Sequence, residues 1–302
     1  VGTEIQARYA RAHEKPIIAV INQLDSEKAS WENSLESLRA ASQVTPVIVQ
    51  YPVNPGPDFD AFIDVLLMKM YKFKGDTGIR EEMEIPAEEM ERATELNRIL
   101  TEAAAENDEA LMELYFEKGV LTQDELRSGL KLGLAKRDVI PVFCASGKRD
   151  IGAKRLMEFI INVAPGPLKA PNFLTVDGEE IEPDSNGPTA LFIFKNIVEP
   201  HLGEVTYFRV ISGKVTEGME LVNSKTGNKE KISQLFAVAG KNRIKVTEMM
   251  AGDIGCTVKL KGTRTNQTLS TPGSNIEIEP IRFPDPRFRV AVKAVKTGED
   301  EK

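Results

Sequence analysis

The hydrophobic pattern along the 302 residues changes character twice. It opens with a polar-and-apolar stretch, residues 3–14, that predicts a helix with Thr3 as its N-cap. Pro16-Ile17-Ile18-Ala19-Val20-Ile21 follows as a continuous apolar run, the mark of a strand covered on both faces. Trp31, Leu35 and Leu38 then fall on one face of a helix over Ser30–Ala41. Val44 to Val53 reads as the next strand, and this alternation implies a parallel sheet with helical crossovers. Asn54-Pro55-Gly56-Pro57 breaks the pattern. The dense apolar set from Phe59 to Phe73 fits strand or helix. From Pro86 to Glu117 the chain is rich in Ala, Glu and Leu, with Pro86 suited to a first helical turn and Gly119 as the stop. Thr122-Gln123-Asp124-Glu125 is a capping box that starts a further helix to about Arg137. The α/β pattern resumes with a strand at Val139–Cys144 and a helix from Gly152 to Ala164, whose Leu156, Phe159, Ile160 and Val163 form an apolar stripe.

Beyond Pro165-Gly166-Pro167, residues 166–187 have the composition of a linker. From Thr189 to Ser270 the period becomes two. Short apolar runs alternate with turns at Gly203, Ser212-Gly213, Gly218, Thr226-Gly227-Asn228 and Gly252-Asp253, which predicts a small closed β-barrel. Pro272 to Pro286 reads as a second connection. Phe288 to Val295 alternates like the first strand of another domain, and a charged tail follows.

Composition and charge narrow the picture. Hydrophobic content of 41% and charged content of 28% describe an ordinary globular protein. No apolar stretch approaches the roughly 20 residues needed to span a bilayer. The opening Val1-Gly2-Thr3-Glu4 resembles neither a signal peptide nor an initiation site, so the chain reads as a piece of something longer. The net charge of −7 is concentrated: residues 53–137 hold 19 acidic and 11 basic side chains, and the remainder 27 and 28. That acidity suits a docking surface or a solvated helical face, and the solvated face is the simpler reading. Cys144 and Cys256 sit in separate apolar runs, as buried thiols do in a reducing compartment. His13 and His201 lack partners at metal-ligand spacing, so no metal site is expected.

The candidate chemistry begins at Asn22-Gln23-Leu24-Asp25, leaving the first buried strand. Ligand crevices of open α/β sheets lie beyond such carboxyl ends. A carboxylate there can accept two N–H donors of a planar base, while an Asn amide braces the loop. The plainer alternative is a turn that caps the next helix. No G-x-x-x-x-G-K-[ST] is present: Gly147-Lys148, Gly213-Lys214 and Gly240-Lys241 lack the upstream glycine.

Taken in order, the motifs resemble the elongation factor G family of translational GTPases. Pro16–Asp25 is similar to its strand and N-K-x-D base-recognition loop. Cys144-Ala145-Ser146 is similar to its second base-contacting loop. Leu111–Tyr115, Gly119 and Leu121–Leu126 resemble the helical insert between them. Gly203, Phe208-Arg209-Val210, Ser212-Gly213, Gly218 and Ala251–Ile254 resemble its second domain, and Phe283-Pro284-Asp285-Pro286 the entry to its third. The resemblance implies a multidomain α/β + β chain: a truncated P-loop-type α/β GTPase domain with a mostly helical insert, then a small translation-factor β-barrel. The α/β part would occupy 1–52 and 138–165, the acidic insert 53–137, the linker 166–187, the barrel 188–280 and the third domain 281–302. Asp25 would take the guanine N1–H and amine, Asn22 would hold the loop, and Ser146, with Ala145 and Gly147, would form the second loop.

The resemblance further implies GTP or GDP as ligand, with Mg²⁺ held by residues outside this chain. No catalytic residue is assigned within it, and the piece alone is expected to be inactive and to bind nucleotide weakly. Ribosomal RNA and the ribosomal stalk protein would be partners, in the cytoplasm and away from membranes, and self-association through an exposed sheet edge is expected. Two positions depart from the family: Gln23 replaces a Lys whose stem covers the base, and Thr265–Leu269 replaces a Gly-Asp turn, with an effect expected only on a surface turn. Gln23 also suits an alternative, a paralogue or ribosomal protection factor that acts by ribosome binding alone.

Overall fold

The computed structural model describes residues 2–169, 171–199, 203–240 and 242–291, in two compact units that meet in sequence at Pro165–Gly166. In the first unit, α1 (Gly2–Ala12) precedes β1 (Ala19–Ile21) and α2 (Trp31–Ala41). Thr3 lies inside α1 instead of capping it. Ser30 does cap α2, accepting from the Asn33 amide, and Trp31 and Leu35 are the buried face. The predicted strand at 44–53 is two strands, β2 (Pro46–Ile48) and β3 (Gln50–Pro52). Val49 is the pivot. Its N–H donates to the Val142 carbonyl and its own carbonyl accepts from Val65, so the chain passes from a parallel sheet into an antiparallel one.

The antiparallel sheet runs β3-β4-β5-β6, with β4 (Ala61–Asp64), β5 (Lys69–Phe73) and β6 (Arg80–Met83). The segment expected to be mostly helical therefore opens with strands. Phe62, Tyr71 and Phe73 explain why: alternate residues cluster on one face, with Phe62 5.6 Å from each of the other two rings. The acidic run beyond is two helices, α3 (Ala87–Ala105) and α4 (Glu109–Lys118). Asp108 splits them by capping the Leu111 amide, and Gly119 ends α4 in the left-handed conformation.

The capping box at Thr122 and Glu125 is present in both directions and starts α5 (Gln123–Lys136). At Gly129 of α5 a Cβ would stand 2.5 Å from the Ala104 carbonyl, so the close crossing of α3 and α5 needs a glycine there. β7 (Ile140–Cys144) then enters between β1 and β2 to give the parallel order β1-β7-β2, with Ala19 opposite Val142 and Val47 opposite Pro141. Finally α6 (Ala153–Val163) packs Phe159 against Phe143 at 4.8 Å. Its buried stripe is Arg155, Phe159 and Val163, while Ile160, expected inside, is exposed.

The second unit is built on an eight-stranded antiparallel sheet, a barrel-like wall. The expected linker is itself structured. It carries the hairpin β8 (Phe173–Leu174) and β9 (Glu180–Ile181). Then come β10 (Ala190–Glu199), β11 (Gly203–Ser212), β12 (Lys214–Thr216), β13 (Glu220–Asn223) and β14 (Lys229–Lys231). The rest are β15 (Leu235–Ala239), β16 (Asn242–Val246), β17 (Glu248–Met250), β18 (Ile254–Val258) and β19 (Gln267–Ser270), with β12 and β17 forming a separate pair.

Leu191, Ile193, Phe208, Val210, Leu221, Leu235 and Leu269 fill one core. The intervening Ala190 and Phe192 are also buried, in a second cluster with Ile276, Ile278 and Phe173. So both segments read as connections pack on the sheet; Val176 donates to the Glu277 carbonyl and Glu279 to that of Leu174. The Thr265–Leu269 departure is more than a surface turn. Asn266, with φ +67°, exchanges two side-chain hydrogen bonds with the backbone of Ile281 and pins the exit of the chain. Residues 288–291 form no strand, and the rest of the alternating run to Val295 lies outside the described residues.

Candidate functional site

Two loops leave neighbouring parallel strands at the same end of the sheet: Asn22–Asp25 after β1 and Ala145–Asp150 after β7. The pairing that aligns the strands continues into the loops. Ala145 donates its N–H to the Ile21 carbonyl at 3.0 Å and accepts from Leu24 N–H at 3.3 Å. Leu24 turns its side chain into the core and anchors the first loop. Gln23, with φ +61°, takes the left-handed turn that frees its neighbours to face the second loop, and its side chain is exposed.

Two side-chain hydrogen bonds join the loops. Ser146 Oγ donates to Asp25 Oδ1 at 2.7 Å, and the Gly147 N–H donates to Asn22 Oδ1 at 2.9 Å. Ser146 is fully buried, its position fixed by reciprocal backbone bonds with Ile151. The six candidate residues Asn22, Gln23, Asp25, Ala145, Ser146 and Gly147 thus lie together, with Ala145 contributing only backbone ties already in use. The Ser146 hydroxyl holds the Asp25 carboxyl below its ordinary 3.8; partial burial opposes this, while its own backbone amide and the charges of Lys148 and Arg149 help. Asp25 is consequently an ionised, half-exposed acceptor between two fixed loops. Among the described residues no group of His, Cys, Asp or Glu could hold a metal ion. Nor is any helix among them long and apolar enough to cross a membrane. Both cysteines are buried free thiols.

Arg149 was not anticipated from sequence, although it lies three residues from Ser146. Its N–H donates to Ser146 Oγ at 3.3 Å, and its guanidinium reaches Asp76 at 2.6 Å and the Phe59 carbonyl at 2.8 Å. The breaker Asn54–Pro57 also has a place here, because the Gly56 N–H donates to the Leu24 carbonyl at 2.7 Å.

Comparison with known proteins gives these loops a setting. Residues 188–272 match the family model for elongation factor G domain 2. The crystal structure of a protein from Thermus thermophilus matches 95% of this chain with a TM-score of 0.79 and 28% sequence identity. The chain spans 41% of the length of that Thermus protein. On these matches residues 188–272 carry an elongation factor G domain 2, and the fold across most of the chain is similar to that of the Thermus protein.

Proposed function

We propose that this chain is the guanine-recognising and barrel-bearing part of a translation elongation factor that binds GTP and promotes movement of tRNA and mRNA on the ribosome. The observation that carries the reading is the 2.7 Å bond from Ser146 Oγ to Asp25 Oδ1, which presents an ionised carboxylate at the carboxyl end of a parallel strand. Asp25 would accept the N1–H and exocyclic amine of guanine as a bidentate pair. Asn22 would brace the loops through Gly147, and Ser146 would fix the carboxylate's orientation. The chain carries no G-x-x-x-x-G-K-[ST], so the phosphates and Mg²⁺ would be held by residues beyond it, and its own nucleotide affinity would be weak. The barrel would meet ribosomal RNA and the acidic 53–137 segment the stalk protein, in the cytoplasm.

Gln23 favours a second reading. Without the Lys stem over the base, a paralogue acting by ribosome binding alone would keep the same loops. Ribosome-stimulated GTP hydrolysis by the complete protein, beside its Gln23→Lys variant, separates the two. Hydrolysis by both supports the translocating GTPase. Ribosome binding without hydrolysis supports the binding-only paralogue, and rescue by Lys places the defect at the base.

A further inference from the structure

The two candidate loops do not stand alone against the sheet. They close a hydrogen-bonded circuit through a third segment, residues 54–60. Starting at Asp25, Oδ1 accepts from Ser146 Oγ at 2.7 Å, and Ser146 Oγ accepts from the Arg149 N–H at 3.3 Å. Arg149 Nη1 then donates to the Phe59 carbonyl at 2.8 Å and to that of Pro57 at 3.3 Å. Phe59 N–H returns to the Gly56 carbonyl at 2.8 Å, and Gly56 N–H to the Leu24 carbonyl at 2.7 Å, one residue from Asp25.

The third segment is rigid. Phe59 is fully buried, and the Asn54 side chain spans the loop, donating to the Asp58 carbonyl and to Asp60 and accepting from the amides of Asp60 and Ala61. Arg149 Nε donates to Asp76, in the turn between β5 and β6, so the guanidinium is held in one plane by three acceptors from two segments. Its planar fork suits this task as a Lys ammonium does not.

We propose that Arg149 is a positioning residue for base discrimination: it pins the Ser146 loop to residues 54–60 so that Asp25 presents one carboxylate orientation to a purine carrying adjacent N1–H and amine donors. The inference rests on the guanine reading above and adds what sets its selectivity. Arg149 need not touch the base. Its effect passes through Ser146, and removal would let the second loop shift by the fraction of an ångström that separates a bidentate from a single hydrogen bond.

The test is titration of the 302-residue chain with millimolar GMP, IMP and AMP, followed by amide chemical shifts of the two loops. IMP keeps N1–H and lacks the amine. The expected result is that the chain prefers GMP to IMP and does not bind AMP there. Arg149→Ala should weaken GMP about tenfold, the loss of one charge-assisted hydrogen bond, and bring GMP and IMP together. Arg149→Lys should recover only part of the preference. Asp76→Asn, which leaves Arg149 in place, should weaken GMP a few-fold without changing the thermal midpoint appreciably. Retention of the full GMP preference in a folded Arg149→Ala chain overturns the positioning role while leaving the guanine reading intact. Equal response to all three nucleotides in the unsubstituted chain overturns both.

Discussion

Asp64 and Arg155, 91 residues apart, form a buried ion pair, Nε to Oδ2 at 2.8 Å, with side-chain exposures of 0% and 7%. Asp64 also accepts from Gln50 Nε2 and the Leu67 N–H, and Arg155 reaches Glu158, which Arg80 pairs from the antiparallel sheet. The pair therefore ties α6 to the antiparallel sheet of the first unit. An unpartnered charge in such a place is far costlier than the pair is favourable. Arg155→Met is expected to cost about 3–5 kcal/mol by stranding Asp64, read as a fall in the urea midpoint of the first unit. Adding Asp64→Leu should restore much of that loss. A single variant within 1 kcal/mol of the parent, on the order expected for a solvated pair, would show that Asp64 is hydrated.

Gly213 fixes the turn from β11 to β12. With φ +69°, it leaves a Cβ 2.7 Å from the Gly187 carbonyl and from the backbone of Thr189. Neither neighbour is a flexible side-chain end that can swing away. Gly213→Ala is expected to cost about 1–3 kcal/mol and to lower the melting temperature of the second unit. Gly227→Ala is the control: also at positive φ, but with open space around the added methyl, it should cost less.

How far the fold was legible depended on whether a residue's role is local. Thr122 and Glu125 satisfy each other within one turn, and their box was plain in the sequence. Val49 was not: nothing in Pro46–Pro52 says which half pairs with β7 and which with β4, because both halves are buried alike. Arg155 broke the apolar stripe of α6, and only the distant Asp64 explains its burial. The linker composition of 166–187 concealed a hairpin that covers Phe192, and the continuous run Ala190-Leu191-Phe192-Ile193 was the signal that both faces of β10 are covered. At the site, Asn22 and Asp25 were readable from their types and their place after a strand, whereas Ala145, Ser146 and Gly147 across from them came only through the family resemblance. Their tether through Arg149 and Phe59 was not readable, since a backbone carbonyl leaves no trace in sequence.

β1 is an edge strand: among the described residues it pairs with β7 alone, and Val20 is 38% exposed. Unpaired backbone groups along such an edge recruit a second strand unless a charge or a covering element blocks them. The chain is expected to self-associate through β1. Sedimentation over a hundredfold range of concentration should show a reversible rise in mass, and Val20→Lys should suppress it. A strict monomer at the highest concentration counts against the edge as a contact.

The Ser146 hydroxyl sets the acid side of the site. A carboxyl whose pKa is depressed in the folded state contributes stability that is present above its unfolded value and is lost as pH falls through the folded one. For Asp25 that window lies below its ordinary 3.8, and the Ser146 hydrogen bond is the largest cause. The Asp25 side-chain carbon, followed by NMR, is therefore expected to titrate below 3.8 in the parent and to move upward in Ser146→Ala. Ser146→Thr keeps the hydroxyl, and where the buried site accepts the extra methyl it should leave the midpoint low. The charges of Lys148 and Arg149 act in the same direction but are screened, so high salt should raise the midpoint slightly in all three proteins. If Ser146→Ala leaves the midpoint where it was, those cations and the backbone amide, not the hydroxyl, hold Asp25 ionised, and the bond between the loops does no more than align them.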